Sequence, residues 1–126
     1  MYNRYLEAEV LDADPLKLVS LLYRGALEAV GDARRFLAAG AIRERSARVM
    51  KAWNILGELL RSLDRRQAGE LGTQLTRLYV YMQQRLIDAN TQQSDQPLAE
   101  VEKLLSTLHE AWSIVGAHRH PVSLAG

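Results

Sequence analysis

The chain contains no cysteine. Disulfides, thiolate zinc sites and thiol nucleophiles are thereby excluded. Aromatic residues make up only 6% of the 126 residues, and prolines number 3. Net charge is only +1, which argues against a dedicated nucleic-acid binder. Long apolar runs are missing as well. Leu18 to Tyr23 is far too short to cross a bilayer, so no membrane insertion is expected. The opening Met-Tyr-Asn-Arg-Tyr-Leu-Glu lacks a basic stretch leading into an apolar one, so no secretory signal is legible and the chain is expected in the cytoplasm.

Groups suited to catalysis are equally sparse. Of 3 histidines, His109 follows Leu108 in a helical stretch, while His118 and His120 lie near the end. A di-iron bundle needs Glu-x-x-His pairs on facing helices. Ser106 precedes His109 by three positions, and Val115 precedes His118 by three. His118 and His120 make one pair, too few for a firm metal site. Gly69 and Gly72 follow no strand and precede no Gly-Lys-Ser/Thr, so they form no phosphate loop. Hydroxyls are present without a histidine and carboxylate set to activate them. The expectation is a non-enzyme with no cofactor, no catalytic residues and no metal.

What is present is helical periodicity. With 48% hydrophobic and 25% charged residues, the composition suits one soluble helical domain. Asp14-Pro15 forms an N-cap and first-turn pair, opening a helix that runs to about Ala39 with Gly40 as its stop. Its main stripe is Leu18, Val19, Leu22, Ala26, Ala29, Ala33, Phe36 and Leu37. A second helix spans about Ala41 to Leu63, with Ile42, Val49, Trp53, Leu56, Leu60 and Leu63 in its seam. A third runs from about Gln67 to Asn90 on Leu71, Leu75, Leu78, Met82, Leu86 and Ala89. Ser94-Asp95 ahead of Pro97 starts a fourth, to about Val115, with Leu98, Val101, Leu105, Leu108, Trp112 and Val115 as its seam. Short links make neighbours antiparallel. The fold class is all-α, an antiparallel four-helix bundle. Residues 1–116 form a single domain, with 1–13 as a mobile N-terminal segment and 117–126 as a loose, flexible tail without helical pattern.

Two strips exceed what one interior needs. Val80 and Ile87, seven apart with Thr76 beside them, fall nearly opposite the third helix's stripe, and Tyr79 and Tyr81 flank that stripe. On the first helix Leu16, Tyr23, Leu27 and Val30 lie to one side. Such faces suit a partner groove, cover by residues 1–13, or dimerisation. Each exposed Leu or Ile that a partner covers contributes about 1.5–3 kcal/mol before ordering costs. Arg34, Arg35, Arg43, Arg45, Arg48 and Lys51 face only Glu44 over their interval, a solvated basic face or a dock for an acidic partner. RNA binding through that patch predicts steep salt dependence.

Asp14-Pro15 with Leu18, Leu22-Tyr23 and Gly25-Ala26 is similar to the Ser-Pro…Leu…Leu-Tyr/Phe-Asp-Gly-Ala run of a known family, the flagellar secretion chaperones (FliS). Lys51-Ala52 with Asn54-Ile55 and Leu63-Asp64 with Gly69-Glu70 match further pieces. Leu75, Leu78-Tyr79, Tyr81-Met82, Arg85-Leu86 and Ala89-Asn90 resemble its Leu…Leu-Tyr-Asp-Tyr-Met…Arg-Leu…Ala-Asn signature, and Leu98, Val101, Leu105 and Ala111-Trp112 complete the set. Arg24, Val80 and Ala68 depart from it, and Val80 makes its face more apolar.

The resemblance implies a cytoplasmic export chaperone without cofactor. It would bind the disordered C-terminal region of flagellin, prevent premature polymerisation and support delivery to the flagellar type III export apparatus, with an export-gate protein as a further partner. Without client it would be a monomer or weak homodimer. The expected client contacts are Leu16, Tyr23, Leu27, Val30, Tyr79, Val80 and Ile87, with Arg85 and Asn90 as polar fixers. Tyr2, Tyr5 and Leu6 would cover the groove until displaced. Four of these carry a plainer reading: Asn90 as a helix C-cap, Arg85 as a surface ion pair, and Tyr23 with Tyr79 as half-buried seam residues. The competing class is a helical adaptor or homodimerising structural bundle with no flagellin client.

Overall fold

The computed structural model describes residues 15–66 and 69–125. They form four helices, α1 (Pro15–Ala38), α2 (Ile42–Arg66), α3 (Gly69–Gln92) and α4 (Asp95–Ala125). The links are short, so neighbours run antiparallel. Around the ring α1 packs on α2 and α4, and α3 packs on the same two. This is the all-α four-helix bundle that the periodicity predicts.

Helix ends follow local backbone chemistry. Gly40 takes φ +73°, a left-handed conformation that costs glycine little, and the Ala41 amide donates to the Phe36 carbonyl at 2.9 Å. At the end of α3 a non-glycine, Gln93, adopts φ +52°, and the Ser94 amide donates to the Ala89 carbonyl at 3.1 Å. The same wrap thus closes both helices. It carries α3 two residues past its expected end and shortens the connector to Gln93 and Ser94.

The core differs from the expected seams in two ways. On α1, Tyr23 and Val30 are fully buried beside Val19, Ala26, Ala29 and Ala33. The two strips of α1 are therefore one wide arc, because this helix faces two neighbours and, through Tyr23, the diagonal helix at Tyr79. On α3 the buried line is Leu75, Tyr79, Met82, Leu86 and Ala89, while Leu71 is 56% exposed. Tyr79 replaces the expected Leu78 at the centre of that face, and Leu78 is half-buried.

The loose, patternless tail expected after Val115 is corrected in one respect: backbone helix continues to Ala125. Extending an existing helix adds one hydrogen bond per residue fixed and needs no new nucleus, so a weak pattern suffices.

Candidate functional site: an apolar seam between α2 and α3

Val80 and Ile87 are the expected contacts that the fold leaves open, 50% and 38% exposed respectively. Two hydrogen-bonded contacts set the register beside them. Asn90 Oδ1 accepts from Arg45 Nε at 3.0 Å and from Ser46 Oγ at 3.1 Å. Further along, Gln83 Nε2 donates to the Trp53 carbonyl at 3.1 Å. In an antiparallel pair this register places Ile87 level with Val49 and Val80 level with Leu56, one residue from Met50 and Gly57. Val80 and Ile87 sit three before and four after Gln83, on its side of α3. Met50 is 43% exposed and Trp53 is half-buried. A side chain at Gly57 would meet only the flexible tips of Gln83 and Arg61, so the seam has a notch there.

The result is a strip of Met50, Trp53, Gly57, Val80 and Ile87 with Gln83 across its middle. On the α2 side it adjoins an open depression of about 490 Å³ that Met50 shares with Asn54, Ile55 and Glu58. Met50 and Gly57 were missed in the sequence because each lies one position off the α2 seam residues Val49 and Leu56. Only the inter-helix register shows what stands opposite them.

The other expected contacts separate. Tyr23, Val30 and Tyr79 are corrected outright, being 0%, 0% and 2% exposed and so closed to any client of this folded state. The Tyr23 and Tyr79 hydroxyls lie 2.5 Å apart, and Trp112 Nε1 donates to Tyr23 Oη at 2.9 Å. Burial pushes both phenols above their ordinary pKa; at Tyr23 the bonds with Tyr79 and Trp112 oppose the shift. Leu16 and Leu27 are half-buried. Leu27 stands one heptad from both Ser20 and Arg34, which contact His109 and Asp95 of α4. It therefore faces the α1–α4 seam, away from Val80, and the expected strips do not merge into one trench.

Asn90 lies inside α3, and its side chain satisfies Arg45, which is only 5% exposed. That replaces the C-cap reading and ties the expected polar fixer to Arg45 of this same chain. Arg85 Nε donates to Glu100 Oε1 at 2.7 Å and its Nη1 reaches Asp88 at 3.3 Å, so it forms the ion pair that was its plainer reading. Tyr81 Oη donates to Glu100 Oε2 at 2.7 Å. The bonds from Tyr81 and Arg85 hold the Glu100 carboxyl below its ordinary value. Tyr2, Tyr5 and Leu6 lie outside the described residues.

The basic interval also loses its freedom. Arg34 bonds Asp95 at 2.8 Å and Glu102 at 2.6 Å, and Arg35 and Arg48 both pair with Asp32. Three of the six cations of the patch are thus paired with carboxylates, which weakens it as a dock for a polyanion. Among the described residues no three His, Asp or Glu side chains converge to hold a metal, and no helix is long and apolar enough to cross a membrane.

A small helical bundle with a closed core and an apolar seam left open offers a surface of the kind that binding proteins use. The family model described as "Flagellar protein FliS" matches residues 1–119, and this chain belongs to that family. It is 40% identical over 108 residues to the flagellar secretion chaperone FliS of Salmonella typhimurium, covering 85% of this chain and 80% of that protein. It is 40% identical over 107 residues to the flagellar secretion chaperone FliSB of Pseudomonas aeruginosa, covering 85% of each. The Bacillus subtilis FliS is 32% identical over 111 residues, with 88% and 82% covered. The chain is thus a flagellar export chaperone in kind, from a family of chaperones and not of enzymes.

Proposed function

We propose that this protein is a cytoplasmic chaperone for flagellin. In this reading it holds the disordered C-terminal region of flagellin, keeps subunits from polymerising early and supports their delivery to the type III export apparatus, where an export-gate protein is its second partner. The observation that carries the reading is the exposure of Val80 and Ile87 beside Met50 on a bundle whose core is otherwise complete. A client segment that folds into an amphipathic helix lays its apolar face along such a seam. Ordering that segment consumes part of the contact energy and leaves the complex reversible. Leu16 and Leu27 offer a second, smaller contact on the α1–α4 side. Tyr2, Tyr5 and Leu6 serve as the placeholder that the client displaces.

Calorimetry with a flagellin C-terminal peptide tests this. Val80→Asp and Ile87→Asp are each expected to weaken binding at least about tenfold, since each removes an apolar contact and introduces a charge that must be desolvated. Unchanged affinity in both variants rules this seam out. A wild-type chain that ignores the peptide and sediments as a stable dimer replaces the reading with a structural bundle.

A further inference from the structure

Among the described side chains of α4, full burial ends at Leu105. Pro97, Leu98, Val101 and Leu105 are fully enclosed. Beyond them Leu108 and Trp112 are half-buried, Ala111 is exposed, and Ile114 and Val115 are 52% and 47% exposed. Two side-chain hydrogen bonds then tie the helix to α1: Ser20 Oγ to His109 Nε2 at 3.3 Å, and Trp112 Nε1 to Tyr23 Oη at 2.9 Å. Of the four helix interfaces, that between α3 and α4 is the sparsest and that between α1 and α2 the densest.

We propose that α4 from Leu108 onward is a strap that opens as one unit from a bundle that stays folded, latched shut by Trp112 on the Tyr23–Tyr79 hydroxyl pair. Segments with few enclosed apolar contacts open at lower free energy than the core. Here the first half of α4 keeps its anchors at Leu98, Val101 and Leu105 when the second half lifts. Once lifted, this half loses the packing of Leu108 and Trp112, and tertiary packing supplies most of a helix's stability in a protein, so its backbone bonds open to water. Opening also brings water to the Trp112 N–H and the Tyr23 hydroxyl, so the polar latch leaves no orphaned group in the open state. The inference does not depend on which client the chaperone carries, because the free protein displays it.

Native-state hydrogen exchange on the full chain, repeated at rising urea below the unfolding transition, tests it. Amides 109–120 are expected to share one opening free energy with a small urea slope. They should exchange at least about a hundredfold faster than those of Leu98–Leu105. Leu98→Ala should accelerate exchange in α1 and α2 and leave the strap amides unchanged, because strap opening does not expose Leu98. Trp112→Phe should accelerate the strap at least about fivefold, the worth of a hydrogen bond. Exchange of 109–120 at the core rate overturns the proposal, as does a smooth gradient toward the C-terminus, which is simple fraying. An unchanged strap rate in Trp112→Phe removes Trp112 as the latch and overturns it in the form stated.

Discussion

Tyr23 on α1 and Tyr79 on α3 meet hydroxyl to hydroxyl at 2.5 Å across the diagonal of the bundle. The two helices are not ring neighbours, so this contact spans the middle of the core and fixes how α1 and α3 face each other. Trp112 adds α4 to the same point. A polar cluster enclosed like this one is stable only while each member has a partner.

Removing one hydroxyl should therefore cost stability without unfolding the protein. Tyr79→Phe is expected to lose about 1–2 kcal/mol in urea titration, the usual range for a buried hydrogen bond that leaves one partner behind. Wild-type stability within about 0.3 kcal/mol of the variant contradicts the enclosed bridge.

The same pair sets an alkaline limit. Both phenols titrate above the ordinary value of 10.0 when folded, chiefly through burial. The unfolded chain loses these protons first, so their contribution is complete below pH 10 and is lost as pH rises above it. Melting followed from pH 8 to 11 should show a falling limb that is shallower in Tyr79→Phe. Parallel limbs in the two proteins rule out the tyrosine pair as its source.

Glu100 acts at the other end of the scale. Its carboxyl accepts from Tyr81 and Arg85 and is held below the ordinary 4.5. The unfolded chain takes up this proton first, so the contribution is present above about pH 4.5 and fades as pH falls through the depressed folded value. Glu100→Gln should be less stable than wild type at pH 7 and flatter in acid. An identical acid limb would falsify this role.

Asn90 and Val80 provide opposite tests of inside and outside. Asn90→Ala takes the acceptor away from the enclosed Arg45 guanidinium and should cost roughly 1.5–3 kcal/mol, the range for a charged hydrogen bond. Val80→Asp, on an exposed face, should stay within about 0.5 kcal/mol of wild type, while Val30→Asp, fully enclosed, should prevent folding. A severe loss in Val80→Asp would mean that this face is already covered.

Some of this was legible from the chain alone because it depends on local chemistry. Apolar residues three and four apart define a helix wherever they sit, and a glycine at a helix end accepts the positive φ that closes it. Four such helices with short links leave little choice but an antiparallel bundle. The width of an apolar arc, by contrast, does not reveal whether it is shared among neighbours or offered to a partner. Tyr23, Val30 and Tyr79 look like surplus surface in sequence, yet α1 and α3 each face three other helices and absorb all three side chains. Val80 and Ile87 stay open because they lie on the outer side of α3, and Met50 and Gly57 join them only through the register between α2 and α3. That register is set by two contacts, Arg45 with Asn90 and Trp53 with Gln83, whose partners stand 45 and 30 positions apart along the chain. No local pattern carries it. Periodicity decided which residues are helical, and packing decided which apolar side chains remained outside.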